Sequence, residues 1–355
     1  MDKLEVLAQS FFDKINFNNF HKNFVDNAYR NEITKIATKV EIRNNRAIFT
    51  DPIDLHGRYP DLQYLINRVC KEYKVSDCKF IVLLNDCYAT DFPVFSTIRP
   101  QQKDKHNIPI PMGNVRGMKE GWGTPIEGWD KYISKTIKHK YPWNKKINKA
   151  VFRGQFAMQT YALGHYGSRK AEHWTEVNRG YLYNQCKPHL EEGDENDLFN
   201  VGFSKIADPR LNGKIPLVES IPFQEQQKYK YIISVGTNAN WAERLRAHLF
   251  TNSVLVKHEA ECLEWFYPLM EPWVDYIPFS LDMSDLTQNI IWARSNDDKC
   301  KKIVENANWF AKEYLNEKTM VKFMKIILDM YVKAQAKTVY HKPISPFGSR
   351  FIRYQ

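Results

Sequence analysis

Metal and redox motifs are missing from this chain. None of its six cysteines stands in a Cys-x-x-Cys pair, which removes the usual zinc and dithiol signatures. Several sit in apolar segments, as reduced core cysteines do. No His-Glu-x-x-His spacing occurs among the ten histidines. No apolar run approaches the ~20 residues needed to span a bilayer. The opening residues, MDKLEVLAQSFFDKINF, lack the long apolar stretch and small-residue cleavage site of a secretory leader. The closing residues, PFGSRFIRYQ, are not an ER-retention address. The expected location is therefore the cytoplasm of a bacterium or of a virus-infected cell, with peripheral membrane contact left open. Internal repeats and low-complexity segments are absent.

What is present is a basic, aromatic-rich chain. Its 355 residues favour two domains, and 43% hydrophobic and 14% aromatic content can fill two cores. The net charge is +10. Nucleic acid, an anionic membrane or a phosphorylated small molecule would each answer such a balance, as would a plain lysine-rich surface. No zinc-finger or RNA-recognition motif accompanies the charge, so nucleic acid is not an expected partner.

Along the chain, residues 1–78 read as helices and connections (LEVLAQSFFDKI, NEITKIATKV, DLQYLINRVCKEY). Phe80 to Leu84 reads as a short buried strand. Residues 85–130 read as loop-rich, with five prolines at 93, 100, 109, 111 and 125. Gly121-Trp122-Gly123 there lacks the third glycine of a dinucleotide fingerprint. Asp130 to Lys140 reads as a helix and the polar Lys145 to Asn148 as a hinge. A fresh strand starts at Ala150 and ends at Arg153-Gly154. Helices are expected over Asp285 to Arg294, Lys301 to Leu315 and Thr319 to Lys337.

The most informative block is Lys228 to Phe279. An apolar run, Tyr229 to Val235, ends at Gly236. A polar turn and a helix-like segment, Trp241 to Phe250, follow with Arg244 and Arg246 near its start. Ser253 to Val256 reads as a second strand. Then come Glu259, Glu261 and Glu264, and a third strand over Val274 to Phe279. Strand, glycine turn, helix, strand is the pattern of a nucleotide-binding α/β domain. Arginines beside the turn suit a diphosphate, because the guanidinium is permanently charged and forks onto phosphate oxygens. Carboxylates after the next strand suit ribose hydroxyls. A doubly wound domain with ordinary surface charges fits the same pattern.

Several of these elements together resemble glycosyltransferase family 90, the protein O-glucosyltransferases and capsule-associated xylosyltransferases. They are Lys230-Tyr231, Gly236, Arg244-Leu245-Arg246, Ser253, Glu261-Cys262-Leu263-Glu264-Trp265-Phe266-Tyr267-Pro268 and Pro272-Trp273-Val274-Asp275-Tyr276-Ile277-Pro278, with Phe152-Arg153-Gly154 and Asp91-Phe92-Pro93 upstream. The resemblance runs over roughly Phe80 to Leu315. It implies an α/β GT-B architecture, two Rossmann-like domains facing a cleft. Residues 1–147 would form the acceptor side, 148–316 the nucleotide-sugar side, and 317–355 a helix and tail packing back on the first domain.

Sugar transfer needs a stabilised leaving diphosphate, a deprotonated acceptor hydroxyl and a held donor. A metal on an Asp-x-Asp element is one solution; arginines and helix N-termini are the other. The chain has no Asp-x-Asp, and Glu192-x-Asp194 and Glu195-x-Asp197 lie in an acidic loop with no preceding strand. The expectation is a metal-independent, inverting enzyme with no cofactor beyond its UDP-sugar donor. Glucose or xylose would pass to a hydroxyl of a glycan, whether cell-surface, capsular or virion. Serine of a protein, a metal-dependent transferase and a non-catalytic basic scaffold are the alternatives. Arg244 is the expected diphosphate clamp. Arg153, Gly154, Gly236, Ser253, Glu261 and Glu264 are expected donor contacts, and Arg169 aligns loosely. Asp91 is the expected general base, with Asp86 as its near rival. Trp122 and Trp129 could stack on an acceptor sugar or pack a core, and His248 reads as packing. Oligomeric state is not legible.

Overall fold

The computed structural model describes residues 2–17, 25–26, 28–29, 36–50, 57–84, 90–100, 106–113, 124–136, 141–156, 172–190, 197–206, 211, 213–236, 244–259 and 262–337. The molecule is α/β, with one mixed sheet, one parallel sheet and a set of C-terminal helices. No described helix is long and apolar enough to cross a membrane.

The first sheet begins with a hairpin where a helix was expected. Strands β1 (Ala37–Arg43) and β2 (Arg46–Phe49) pair antiparallel with Arg43 opposite Arg46. The two residues between them, Asn44 and Asn45, both have positive φ, 49° and 59°. That is the two-residue turn whose twist matches the strands, and asparagine tolerates it. The β-branched Thr38, Val40 and Ile42 alternate along β1, a period of two that overrides the helical reading. Helix α1 (Lys3–Phe12) precedes the hairpin and α2 (Tyr59–Glu72) follows it. Strand β3 (Cys78–Leu83) completes the pairing with β1, and short strands β4 (Val94–Ser96) and β6 (Asn107–Pro109) add in parallel, giving the order β2-β1-β3-β4-β6. Arg58, just ahead of α2, donates from Nη1 to the carbonyl of Leu84 at 2.9 Å. The start of α2 therefore sits at the C-terminal edge of this sheet.

The second sheet is wholly parallel. Its strands are β7 (Ile147–Phe156), β8 (Phe199–Ile206), β9 (Tyr229–Ser234), β10 (Val254–His258) and β12 (Ile277–Phe279), in the order β12-β10-β9-β7-β8. Counted along the chain this is the order 2-1-3-4-5 of a doubly wound sheet. The connections leave to opposite sides after the first and third strands, opening a crevice between their C-terminal ends. Strands buried on both faces read as near-continuous apolar runs, and every residue of β10 is buried.

Three local expectations need correction. The supposed hinge is a 3₁₀ turn, Trp143–Lys145, running into β7; the buried Lys146 ammonium is tied to Ser253 Oγ at 2.8 Å and to the carbonyl of Gln227. The third strand of the informative block is confined to β12, because Glu271 to Tyr276 closes into a tight turn with Trp273 N donating to Tyr276 O at 2.8 Å. Glu264, expected in the connection between two strands, lies in a strand of its own, β11 (Cys262–Glu264), antiparallel to β5 (Ile98–Pro100).

That small β5–β11 sheet links the two larger ones. Around it the core is continuous, from α1 and the first sheet through Phe250, Trp265 and Phe266 to the last helices. Helices α7 (Leu286–Ser295), α8 (Asp297–Tyr314) and α9 (Glu317–Lys337) close the chain. Met320, Met324, Ile327, Leu328 and Tyr331 line one stripe of α9. That stripe lies on the first sheet, where Tyr331 Oη and Gln335 Nε2 both donate to the carbonyl of Lys79.

Candidate active site

The crevice of the second sheet opens between β7 and β9. Gly154 lies near the end of β7, and a Cβ there would stand 2.9 Å from Arg244 Nη2 and 3.7 Å from Arg179 Nη1. Two guanidinium groups thus close over a strand position that has no side chain. Arg244 arrives from the turn ahead of the short helix α6 (Leu245–His248) and donates from Nη1 to the carbonyl of Arg153 at 2.9 Å. Arg179 arrives from the first turn of α4 (Asn178–Cys186) and donates to the carbonyl of Gln155. Both stand 5.3 Å from the centroid of the Phe152 ring, within cation–π range. Gly180 lets α4 come down here: a Cβ on it would lie 2.0 Å from the carbonyl oxygen of Trp174.

Among the described residues no carboxylate pairs with Arg179 or Arg244, and Arg179 Nε has no hydrogen-bond partner among them. Burial lowers the pKa of Arg244 to about 10. Arg179 is also held well below its ordinary value, by burial first and then by the nearby charge of Arg244. Both retain contact with solvent. Two partly desolvated positive charges beside a bare backbone position are suited to a doubly charged anion. Arg179 is the member that sequence reasoning missed. The only available signal was an arginine in the first turn of a helix, which is common on any surface.

The other expected site residues fall into three groups. Gly236 is buried just past the C-terminal end of β9, facing the same crevice edge as Gly154. Arg153 reaches the site through its carbonyl alone; its side chain points to β8 and donates to the carbonyls of Glu219 at 3.1 Å and Asn200 at 3.0 Å. Ser253 lies at the opposite, N-terminal edge of the sheet, its hydroxyl donating to Tyr229 O at 2.8 Å and accepting from Lys146. Glu264 is corrected as well. It is fully buried and pairs with Arg246 at 2.8 Å, while Arg246 Nη2 also donates to Met112 O at 2.8 Å. A sealed carboxylate cannot meet a ligand hydroxyl; this one ties α6 and β11 to the segment after β6. Among the described residues of that stretch Glu259 is the accessible carboxylate, directly after β10 and 3.1 Å from Lys257 Nζ.

Trp129 is 1% exposed and edge-on to Phe250 at 5.7 Å, so its faces belong to the core. His248 stacks on Phe223 at 4.7 Å, and burial first, then the charge of Arg244, push its pKa well below the ordinary imidazole value. Asp91 is exposed in the turn before β4, where His106 N donates to Thr90 O and Val94 N to His106 O. That places it at the N-terminal end of β4 and β6. The segment that meets Arg246 lies past the C-terminal end of β6. Trp122, Glu261, Asp86 and Arg169 lie outside the described residues. No group of three His, Cys, Asp or Glu residues among the described residues could hold a metal ion.

A doubly wound parallel sheet with paired arginines at its crevice is an α/β arrangement suited to an anionic ligand. More particularly, the chain belongs to glycosyl transferase family 90, whose family model matches residues 52–346. It is 35% identical over 194 residues to protein O-glucosyltransferase 2 of Danio rerio, covering 54% of this chain and 34% of the relative. It is 26% identical over 289 residues to protein O-glucosyltransferase 1 of Homo sapiens, covering 79% and 64%. It is 29% identical over 224 residues to uncharacterized protein 035R of Invertebrate iridescent virus 3, covering 59% and 19%. The chain thus spans less than two thirds of each of these relatives.

Proposed function

We propose that the protein is an inverting glycosyltransferase that moves glucose or xylose from a UDP-sugar to a glycan hydroxyl without a metal. The observation that carries this reading is the convergence of Arg179 and Arg244 on Gly154. The two guanidinium groups would hold the diphosphate, and their charge would match the charge that grows on it as the sugar leaves. Preorganised charge of this kind usually contributes more to the rate than any other single effect. The acceptor oxygen attacks the anomeric carbon from the face opposite the diphosphate. The carbon–oxygen bond to phosphate breaks, UDP departs with the electron pair, and the acceptor proton passes to a carboxylate. An α-linked donor then gives a β product. Glu259, accessible at the end of β10, is suited to the ribose hydroxyls.

The base belongs to the segment joining β3 and β4, which holds both Asp86 and Asp91. The exposed turn at the N-terminal end of β4 speaks against Asp91 and makes Asp86 the stronger assignment. The two larger sheets are proposed as the acceptor and donor halves of a GT-B arrangement. In support, the segment after β6 reaches Arg246, two residues on from Arg244.

A protein acceptor is the second reading, favoured by the names of the relatives, which are protein O-glucosyltransferases. UDP release is to be measured with UDP-glucose and UDP-xylose, each with glycan and peptide acceptors, in the presence of chelator. The expected result is acceptor-stimulated UDP release that survives chelation. Turnover lost in chelator and restored by manganese would refute the metal-free mechanism.

A further inference from the structure

We propose a second saccharide site, separate from the crevice, in the cavity between α7, α8 and the Glu271–Tyr276 turn. The cavity measures about 650 Å³, within the range of small-ligand sites. Trp273 and Trp292 form its wall, edge to face at 4.8 Å. Trp273 is 42% exposed and sits at φ +64°, a conformation that a bulky side chain adopts rarely and that glycine or asparagine would take without cost. The turn enforces it: Trp273 N donates to Tyr276 O, and Glu271 N donates to Asp275 Oδ2 at 2.8 Å. A large indole held outward at a strained position, beside a concavity, is the kind of outlier that marks a binding surface.

The polar rim gives the ligand class. Gln288 and Lys299 make no hydrogen bond or ion pair with a described residue, and Lys299 Nζ lies 5.6 Å over the Trp292 ring. Asn289 and Asn306 each donate an amide hydrogen to a backbone carbonyl, of Pro278 and Val274 respectively. Neither amide oxygen has a hydrogen-bond partner among the described residues, so each remains an open acceptor on a residue that lines the cavity. An indole face with directional amide donors and acceptors around it matches a pyranose, whose one side is C–H and whose edge is hydroxyl. Trp273 precedes β12, at the N-terminal edge and outer flank of the sheet, whereas Gly154 and the arginines occupy the C-terminal edge by β7. A chain held there would be gripped away from the reacting end. The choice of a sugar as ligand rests on the transferase reading; the cavity itself shares no residue with that site.

The experiment titrates the whole chain with xylohexaose, maltohexaose, cellohexaose, chitohexaose and a proline decapeptide, following tryptophan fluorescence and ligand NMR. UDP binding and oligomeric state are measured in parallel. At least one hexasaccharide should bind saturably, and Trp273→Ala should weaken it about tenfold or more. Gln288→Ala should weaken it less and serves if Trp273→Ala does not fold. Arg244→Ala should leave hexasaccharide binding unchanged, and Trp273→Ala should leave UDP binding unchanged. The proposal is overturned if no hexasaccharide binds, if neither cavity variant weakens binding, if the decapeptide alone binds, or if the cavity proves to be a dimer face that Trp273→Ala splits. Hexasaccharide binding without UDP binding would keep this site and remove the transferase reading.

Discussion

Replacing Arg244 with methionine should stabilise the resting protein while removing donor binding. Burial lowers the guanidinium pKa from 12.5 to about 10. At about 1.4 kcal/mol per pH unit, charging it there costs about 3 kcal/mol. Solvent still reaches part of the group, which discounts the cost to about 1–3 kcal/mol. Because the folded value lies below the unfolded one, the cost applies at every pH below about 10 and fades above it. Against this, the substitution loses the bond from Nη1 to the Arg153 carbonyl, about 1 kcal/mol. Methionine keeps an apolar contact with Phe152. The balance is a gain of about 1 kcal/mol, or about 1–2 °C in Tm for a chain of this length. Circular-dichroism melts with and without UDP, with calorimetric titration, measure both halves. UDP should raise the wild-type Tm by mass action and leave Arg244→Met unmoved. A variant that melts well below wild type without UDP would show the arginine to be a structural tie and the reasoning wrong. A retained UDP shift would remove Arg244 from the donor site.

The remaining predictions are narrower. Arg179→Gln should lower kcat/KM by about 10²–10³, read in the UDP-release assay, with the melting point held or raised. Asp86→Asn should cost about 10²–10⁴ in rate with UDP affinity kept, whereas Asp91→Asn should be near normal; the reverse ranking, measured on folded variants, restores Asp91 as the base. Glu264→Ala should cost about 3–5 kcal/mol of stability in urea titration by stranding the buried Arg246 charge, and a variant of wild-type stability with lost UDP binding would return Glu264 to the ligand. His258, whose ring is buried and donates to Leu281 O at 3.0 Å, has its pKa lowered to about 4. Its folded value lies below the unfolded 6.5, so stability present above pH 6.5 should be lost as pH falls toward 4, at about 1.4 kcal/mol per pH unit. His258→Gln should flatten the fall in urea midpoint between pH 7 and pH 5, with His248 supplying what slope remains.

Periodicity and turn chemistry are local, and they were legible. The apolar run at Tyr229, the glycine at 236, the strand at Val254 and the spacing of Met320, Met324, Ile327 and Leu328 each fix an element from a few neighbouring residues. Within the hairpin the local signal was present too, in Asn44-Asn45 and the alternation ahead of it, but helical composition outweighed it in the reading. The family resemblance was carried by motifs of the same short range. What a short window cannot hold is pairing. The order of the five parallel strands depends on which backbone edges meet, and that order alone opens the crevice between β7 and β9. Glu264 looked like a ligand carboxylate until Arg246, 18 residues earlier, closed on it in a dry interior. Arg179 looked like any helix arginine until its helix delivered it to Gly154 beside a second guanidinium. Burial and charge pairing are sums over neighbours in space, and those neighbours are chosen by sheet order and core packing rather than by adjacency along the chain.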